Sequence, residues 1–308
     1  MNLTVIYITA RPHCEVRWFI DSLCLQLTES VQVIIVDFHA AKRPMLVPSR
    51  HKTLMIRHVA PKPTVWQGPS RVTREDWWAA ANARNTGLCL TTTKWVAFLD
   101  DRCVVLPGWE KAIQEAMDGN YALAGAYEKR TGVTVEGGII QHAGIVIGED
   151  TREKYFHEYC KKTEPFPCDG AWLFGCALML ATDWAFKVNG YDETCDGLGM
   201  EDVIFGMHLS NSGFPIKYDP RLKIIEDRTP EKIANVPGKH PRVMRHEDKG
   251  VSPQDKSHAL LAVLKDLKQA KHPINLSEIR QQVLSGHPFP PPWGPVKDWY
   301  DEQPIKDF

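Results

Sequence analysis

The chain has 308 residues, enough for one large α/β domain with an appended tail. Its 37 lysines and arginines nearly balance its 38 acids, so a formal net charge of −1 creates no overall field that favours nucleic acid or an anionic membrane. No apolar run approaches the roughly 20 residues that a membrane-spanning helix needs. We therefore expect a soluble protein that meets any polyanionic partner through a local patch.

The beginning of the chain and its cysteines predict a cytoplasmic location. Residues 1–8 have the character of a strand and lack the charged start, apolar middle and small-residue cleavage site of a signal peptide. The eight cysteines include no C-x-x-C pair and no zinc-ligand spacing. Reduced, mostly buried thiols are expected, unless a removed leader directs the chain elsewhere.

The first half of the chain alternates strands and helices. β-Branched runs at 5–9 and 31–36 flank a segment, 15–28, whose apolar residues recur at helical spacing. This order predicts a βαβ unit with parallel strands, whose carboxyl ends commonly meet a ligand. Further predicted elements are a strand at 53–56, a helix at 74–90 with Thr73 as its N-cap, and a strand at 95–100.

Acidic residues end two of these strands. Asp37 follows the second strand, and Asp100 with Asp101 ends the strand that begins at Trp95. Adjacent carboxylates at such an edge suit a divalent cation that carries phosphates, although a solvated acidic turn explains this segment equally well. Arg102 follows directly, where a phosphate-bound metal would favour a third acid.

The second half continues the α/β pattern and then changes in composition. Glu201 and Asp202 precede a helical stretch at 203–209, where the helix dipole favours carboxylates. Residues 221–271 hold twelve lysines and arginines against seven acids, which suits either a polyanion or a solvated helix pair. Other predicted elements are a helix at 109–117, a strand at 121–126, paired strands within 133–148, a polar loop and candidate lid at 149–167, a buried strand at 170–180, a helix at 183–188, helices at 257–270 and 276–284, and an extended or disordered segment at 287–308.

Four motifs, taken in chain order, resemble those of GT-A fold glycosyltransferases, especially family-2-like members and the related galactosyltransferase-type C-terminal module. No single motif is specific, but their order and spacing together are, and the resemblance spans roughly residues 3 to 227. The motifs are Ala83-Arg84-Asn85-Thr86-Gly87, similar to A-R-N-x-G; Trp95 to Asp101, similar to a strand that ends in D-x-D; Gly190-Tyr191-Asp192-Glu193, similar to G-Y-D-E; and Gly197-Leu198-Gly199-Met200-Glu201-Asp202, similar to W-G-x-E-D.

The resemblance implies a Rossmann-like α/β fold, with a mixed, mainly parallel sheet flanked by helices and a helical or irregular C-terminal extension. It implies a glycosyltransferase domain at 1–227 and an extension at 228–308. Within the domain, residues 1–127 would bind the nucleotide-sugar, and residues 128–227 would hold the acceptor and the catalytic group.

The resemblance also implies roles for residues near the donor, usually a UDP-sugar. Asp37 would lie near the base or ribose and Arg84 near the nucleotide. Asp100 and Asp101 would lie by the ribose and by a Mn²⁺ or Mg²⁺ ion on the diphosphate, where the ion neutralises charge on the leaving group.

Arg102 departs from the D-x-D pattern and leaves the metal ligands open. In one interpretation, which we favour, Asp101 binds the metal and a later histidine, either His240 or His246, completes the site. In the other, the Arg102 guanidinium itself offsets the diphosphate charge and makes the metal dispensable.

The Glu-Asp pair implies the catalytic residues. Asp202 would be the general base for the acceptor hydroxyl, and Glu201 would hold acceptor or sugar hydroxyls. An E-D pair rather than E-N implies inversion at the anomeric carbon. Trp172 and Trp109 are candidates for stacking on a sugar, although a tryptophan in an apolar segment more often belongs to the core.

The sequence leaves the acceptor open among a glycan, a protein, a small molecule and a hydroxymethylated DNA base, as some bacteriophage glycosyltransferases use. The alternative function is a catalytically degenerate GT-A domain that binds a nucleotide-sugar or glycan without turnover, which Arg102 and the missing Trp before Gly199 would explain. A nucleotidyltransferase would need a Gly-rich loop after the first strand, and residues 9–13 contain no glycine.

Overall fold

The computed structural model describes residues 1–11, 13–40, 50–51, 53–64, 79–155, 164–196, 200–229 and 275–290. The strands are β1 (Leu3–Thr9), β2 (Val31–Asp37), β3 (Arg50–His51), β4 (Leu54–Val59), β5 (Trp95–Asp100), β6 (Cys103–Val105), β7 (Ala122–Thr131), β8 (Thr134–Glu136), β9 (Ile139–His142), β10 (Ile145–Glu149), β11 (Phe166–Pro167), β12 (Ala177–Ala181) and β13 (Ile216–Asp227). The helices are α1 (Val16–Gln26), α2 (Ala80–Leu90), α3 (Trp109–Gly119), α4 (Thr151–Tyr155), α5 (Thr182–Lys187), α6 (Glu201–Asn211) and α7 (Leu276–Leu284).

One large mixed sheet organises the fold. Its strands follow the order β11-β13-β7-β12-β5-β1-β2-β4-β3, with β10 paired to β7 and β6 paired to β13. Strands β4, β2, β1 and β5 are parallel, and β13 is parallel to β7. Strand β12 runs antiparallel between β5 and β7. The predicted α/β class with a mixed, mainly parallel sheet flanked by helices is confirmed.

The central strands are apolar along their length because helices cover them. All seven residues of β1 are buried, as is typical of a parallel strand that is covered on both faces. On one face, Phe19 of α1 stacks on Tyr7 of β1 at a centroid distance of 4.7 Å. Within the described residues, no helix is long and apolar enough to cross a bilayer.

The sheet topology brings several polar residues to one edge, which we call the carboxyl edge. In register, Thr9 at the end of β1 lies beside Asp37 of β2, and Ile8 lies beside Asp100 of β5. Strand β12 starts at this edge, because Ala177 pairs with Leu99. Strand β13 ends there. Residues from both halves of the chain therefore form the carboxyl edge.

Several predicted elements need correction. Helix α2 begins at Ala80, and Ala79 is not helical, whereas the predicted helix ran from 74 without a break. Thr73 and residues 74–78 lie outside the described residues. Strand β13 was missed because charged residues alternate along it. The polar segment 149–167 contains α4 and β11, and residues 156–163 lie outside the described residues. The predicted helix at 257–270 and most of the segment 287–308 also lie there.

Hydrogen bonds join helix α2 to the segment 191–196, and we call this set of contacts the interlock. The side-chain amide of Asn85 donates to the Tyr191 carbonyl and to Glu193, both at 2.8 Å, and its oxygen accepts from the Tyr191 amide at 2.9 Å. The Asp196 carboxylate accepts from the amides of Ala81 and Asn82 at 2.7 and 3.1 Å. These contacts fix the start of α2, and with it Arg84, against the segment that leads to α6.

Replacement of Asn85 tests this interlock. Asn85→Ala leaves the buried amide and carbonyl of Tyr191 without their partner, so we expect a loss of about 2–4 kcal/mol in the free energy of unfolding. Urea denaturation measures it, and the exposed Gln114→Ala is the control, expected to stay within about 0.5 kcal/mol of the parent. Equal stability of both variants would contradict the interlock.

Candidate active site

The guanidinium of Arg84 joins the two halves of the chain at the carboxyl edge. It lies on the apolar helix α2 and is only 3% exposed. Its Nη2 donates to Asp100 at 2.9 Å, and its Nη1 donates to Glu201 at 2.9 Å. Burial opposes the charge, but the carboxylates of Asp100 and Glu201 outweigh this effect and raise the pKa of Arg84. A permanent buried cation therefore fixes the end of β5 against the start of α6.

Gly175 leaves the room that Arg84 needs. A Cβ atom at this position would lie 2.1 Å from Nη2 and 2.3 Å from Cζ of Arg84, far inside contact distance. The Gly175 amide donates to Oδ2 of Asp202 at 3.0 Å. Gly175 thus leaves space for the Arg84 guanidinium, and its amide orients the Asp202 carboxylate.

The Asp202 carboxylate is fixed by hydrogen bonds but remains partly exposed to solvent. Its Oδ1 accepts from the Val203 amide at 2.8 Å, in addition to the bond from Gly175, and its side chain is half-buried. Glu201 lies beside it with a side chain that is 14% exposed. The preceding residue, Met200, has a left-handed φ of 71° and is exposed, so the chain turns sharply into α6 at this point. The Glu-Asp pair therefore lies at the start of α6, where Glu201 reaches Arg84 at the carboxyl edge.

Asp101 is engaged by residues that follow β1. Its Oδ2 accepts from the Thr9 hydroxyl at 2.8 Å, and its Oδ1 accepts from Nε of Arg11 at 2.9 Å. Burial raises the pKa of Asp101, and Arg11 and Thr9 partly oppose that effect. The sequence did not identify Arg11 as a site residue, although its place directly after the first strand was a usable signal.

Arg102 lies inward, away from the role predicted for it at the diphosphate. It has a left-handed φ of 58° and is 1% exposed. Its guanidinium pairs with the Asp227 carboxylate and donates to the carbonyls of Asp227 at 3.0 Å and His13 at 2.7 Å. These contacts tie the end of β13 to the loop after β1. The described contacts assign Arg102 to the internal framework of the site.

Asp37 is buried where the sequence predicted a contact with the base or ribose. Its Oδ1 accepts from the His39 amide at 2.8 Å, and its Oδ2 lies 3.0 Å from Nε2 of His58. His39 in turn lies 2.9 Å from the Ala10 carbonyl. These contacts order the loops after β1 and β2.

The two tryptophans considered for sugar stacking differ in position. Trp109 is fully buried at the start of α3, so it belongs to the core. Trp172 is half-buried and packs edge-on against Tyr218 and Phe166, with centroid distances of 5.6 and 6.1 Å. The Trp172 carbonyl accepts from Arg152 at 2.5 Å. Stacking of Trp172 on a sugar stays a prediction.

Glu226 is a buried carboxyl that the sequence did not single out. It is 2% exposed, lies opposite Cys103 in the pairing of β13 with β6, and forms an ion pair with Arg228 at 2.6 Å. Burial raises the pKa of Glu226 to about 7, with Arg228 opposing and the charge of Asp100 adding to the rise. Glu226 therefore has a pKa near neutral pH, close to the carboxylates of Asp100 and Asp101.

The predicted metal site lies only partly within the described residues. Asp100 and Asp101 are adjacent, but each accepts from an arginine. Within the part of the chain that the structure describes, no group of three or more His, Cys, Asp or Glu side chains could hold a metal ion. The predicted ligands His240 and His246 lie outside the described residues. Asp100 and Asp101, the two predicted ligands that the structure describes, pair with Arg84 and Arg11.

Comparisons with known proteins agree with this architecture. Residues 65–179 match the family model described as Glycosyl transferase family 2. The chain is similar to GalNAc-T7 in a crystal structure with UDP, GalNAc and Mn²⁺, with a TM-score of 0.53 and 15% identity over 94% of this chain and 59% of that one. It is similar to S. aureus TarS 1–349 in complex with UDP-GlcNAc, with a TM-score of 0.53 and 14% identity over 92% of this chain and 70% of that one. A sequence search of curated proteins finds no match.

These likenesses establish the fold. The family match covers a little over a third of the chain, and it includes the helix of Arg84 and the strand of Asp100. The GT-A fold and the resemblance to family-2-like glycosyltransferases are confirmed. The chain spans 59% of the GalNAc-T7 structure, so that protein has a substantial part with no counterpart here.

The pKa of Glu226 predicts a pH-dependent effect of its replacement. A folded-state pKa of about 7, against 4.5 for a free carboxyl, means that stability is lost as pH rises from 4.5 through 7, by up to about 3 kcal/mol. Glu226→Gln removes this loss. We expect the variant to match the parent at pH 5 and to exceed its free energy of unfolding at pH 8. A difference that does not change with pH would contradict the assignment.

Proposed function

We propose that the chain is a glycosyltransferase that moves a sugar from a nucleotide-sugar, a UDP-sugar in the first instance, to an acceptor hydroxyl with inversion. The observation that carries the proposal is the position of Arg84, which holds Asp100 and Glu201 on one guanidinium at 2.9 Å each. Asp202 directly follows Glu201, and its carboxylate accepts from the amide of Gly175, which packs against Arg84. The family match and the UDP-containing structures of GalNAc-T7 and TarS support a UDP-sugar donor.

In the proposed reaction, Asp202 is the general base. It takes the proton of the acceptor hydroxyl while the hydroxyl oxygen attacks the anomeric carbon. The bond from that carbon to the diphosphate oxygen breaks, and its electron pair leaves with the diphosphate. The Gly175 amide and the Val203 amide hold the carboxylate in one orientation, while its partial exposure leaves it accessible to the acceptor.

The other residues of the site have supporting roles in this proposal. Asp37 orders the loops that frame the nucleotide, Asp100 contacts the donor from the end of β5, and Glu201 holds sugar or acceptor hydroxyls. Trp172 lies on the acceptor side, where its exposed part would contact a sugar. Arg102 acts through the framework rather than on the donor.

The proposal keeps the domain division that the sequence suggested. In it, residues 1–127 form the nucleotide-sugar half, residues 128–227 form the acceptor half, and residues 228–308 form the extension. Apart from residues 228–229 and 275–290, which include α7, the extension lies outside the described residues. We therefore confine the acceptor to a hydroxyl group, whether on a glycan, a protein, a small molecule or a hydroxymethylated DNA base.

Hydrolysis of the donor tests the function without a known acceptor, because water can replace the acceptor hydroxyl. The protein is expected to release UDP slowly from UDP-GlcNAc or UDP-GalNAc. A degenerate domain that only binds the donor would release none, so failure with a full set of UDP-, GDP- and dTDP-sugars would favour that alternative.

Replacement of Asp202 tests the base. Asp202→Asn keeps the size of the side chain but cannot accept the proton, so UDP release should fall by at least about a hundredfold while UDP binding stays within about twofold. The control is Asp183→Asn, an exposed carboxylate at the start of α5. Near-normal turnover of the Asp202 variant would refute the assignment.

Replacement of Gly175 tests the support of Arg84. The Cβ atom of Gly175→Ala would displace the buried guanidinium, so UDP release should fall by at least about tenfold. Gly148→Ala is a matched control, because its Cβ would lie 3.5 Å from the nearest atom, at ordinary contact distance. An active Gly175→Ala enzyme would show that the position of Arg84 is not required.

A further inference from the structure

We propose that the hydroxyl of Tyr191 positions the base of this site, by donating a hydrogen bond to the Asp202 carboxylate while that carboxylate takes the proton of the acceptor. The inference rests on the proposed function, because it adds a positioning residue to the same reaction. Tyr191 belongs to the motif at 190–193, and the sequence indicated no individual role for its side chain.

The Tyr191 hydroxyl is a buried polar group that has no hydrogen-bond partner in the part of the chain that the structure describes. The residue as a whole is 2% exposed. Burial of a hydroxyl without a partner lowers stability, and a phenylalanine would fill the same space without that cost. Position 191 therefore carries a hydroxyl that packing alone does not need.

The ring that carries this hydroxyl is held firmly. The backbone amide and carbonyl of Tyr191 bond to the Asn85 side chain at 2.9 and 2.8 Å. The ring stacks on Phe205 of α6 at a centroid distance of 4.1 Å and meets Phe98 of β5 edge-on at 5.4 Å. Cζ of Arg84 lies 5.4 Å from the ring centroid. A side chain held in this way presents its hydroxyl at one place in the site.

The two aromatic partners of the ring place it next to the carboxylates of the site. Phe205 follows Asp202 by three residues on α6, so their side chains lie on one face of the helix. Phe98 precedes Asp100 by two residues on β5, so their side chains lie on one face of the strand. Tyr191 therefore packs against the helix face that carries the proposed base.

The charges around the hydroxyl make it a donor. Burial raises the pKa of Tyr191, and the Arg84 guanidinium opposes this rise. The carboxylates of Asp202, Glu201 and Asp100 add to it, so the hydroxyl keeps its proton. Arg84 already pairs with Asp100 and Glu201.

Asp202 is the carboxylate that this donor matches. Among the described residues, its partners are the backbone amides of Gly175 and Val203, and no cation pairs with it. A carboxylate offers about four lone-pair sites to donors. The two amides, the Tyr191 hydroxyl and the acceptor hydroxyl would fill them. In the reaction, the proton moves from the acceptor oxygen to Asp202, and Tyr191 keeps its own proton while it holds the carboxylate in place.

Tyr191→Phe tests the proposal through measurements that a packing role would not separate. The rate of UDP release from saturating UDP-GlcNAc or UDP-GalNAc should fall by at least about tenfold, as expected for a lost hydrogen bond to a charged group. The midpoint of urea denaturation should stay the same or rise, because a hydroxyl without a partner is removed. The KM for the donor should stay within about twofold, because the hydroxyl acts on the base.

Two other tyrosines provide controls. The Tyr7 hydroxyl donates to the Cys14 carbonyl and accepts from the Arg102 amide at 3.1 Å, so Tyr7→Phe should lower the urea midpoint. Tyr121 precedes β7, at the edge of the sheet opposite the carboxyl edge. Tyr121→Phe should leave both the rate and the midpoint unchanged.

Three results would overturn the proposal while the parent activity upholds the proposed function. One is a Tyr191→Phe variant that releases UDP at the parent rate. Another is a urea midpoint that falls together with the rate, which would show that the hydroxyl has a structural bond in the folded protein. The third is a donor KM that rises at least about tenfold at an unchanged maximal rate, which would assign the hydroxyl to the donor. A parent that releases no UDP from any donor would overturn the proposed function, and this inference with it.

Discussion

The buried guanidinium of Arg84 is the interaction on which the rest of the site depends. Two carboxylates from distant parts of the chain, Asp100 and Glu201, are bound to one planar cation that has almost no access to water. Removal of that cation would leave two acids close together in a poorly solvated place, and they would repel each other. Arg84 therefore holds the end of β5 and the start of α6 in one geometry.

Much of the surrounding structure serves to keep Arg84 in place. Asn85, the next residue, is bound on both sides by the backbone of Tyr191, and Asp196 caps the helix that carries them. Gly175 provides the space for the guanidinium and donates its amide to Asp202. The segments of Arg84, Asn85, Asp100 and Glu201 are thus connected to one another through hydrogen bonds. A change in any one of them is transmitted to the orientation of the proposed base.

The same pairing of acids with arginines extends along the carboxyl edge. Asp101 with Arg11, and Asp227 with Arg102, repeat the pattern of Asp100 with Arg84. In each pair, the acid orients a cation that belongs to the protein. Arg102, which departs from the D-x-D pattern, has a structural role here because it is the ion-pair partner of the buried Asp227.

The sequence predicted the parts of this structure that depend on local pattern. The apolar runs of β1, β2 and β5 and the Glu-Asp start of α6 were identified because burial and helix polarity leave a periodic signal. Strand β13 was missed because Lys217, Asp219, Arg221 and Lys223 alternate along it, so it has the composition of a surface segment.

The pairing partners inside the site were not predictable in the same way. Arg11 lies 90 positions from Asp101, and Arg102 lies 125 positions from Asp227. No local pattern connects residues so far apart, and only the order of the strands brings them together. The role of Gly175 likewise depends on a contact with Arg84 from a distant helix.

The most direct test of the account is the anomeric configuration of the sugar released from the donor. Proton NMR of early time points, before the sugar mutarotates, distinguishes the two anomers during hydrolysis of UDP-GlcNAc or UDP-GalNAc. If Asp202 activates water on the face opposite the diphosphate, the β-anomer of the sugar should accumulate first from the α-linked donor. Initial release of the α-anomer, or a donor that stays intact throughout, would contradict the account.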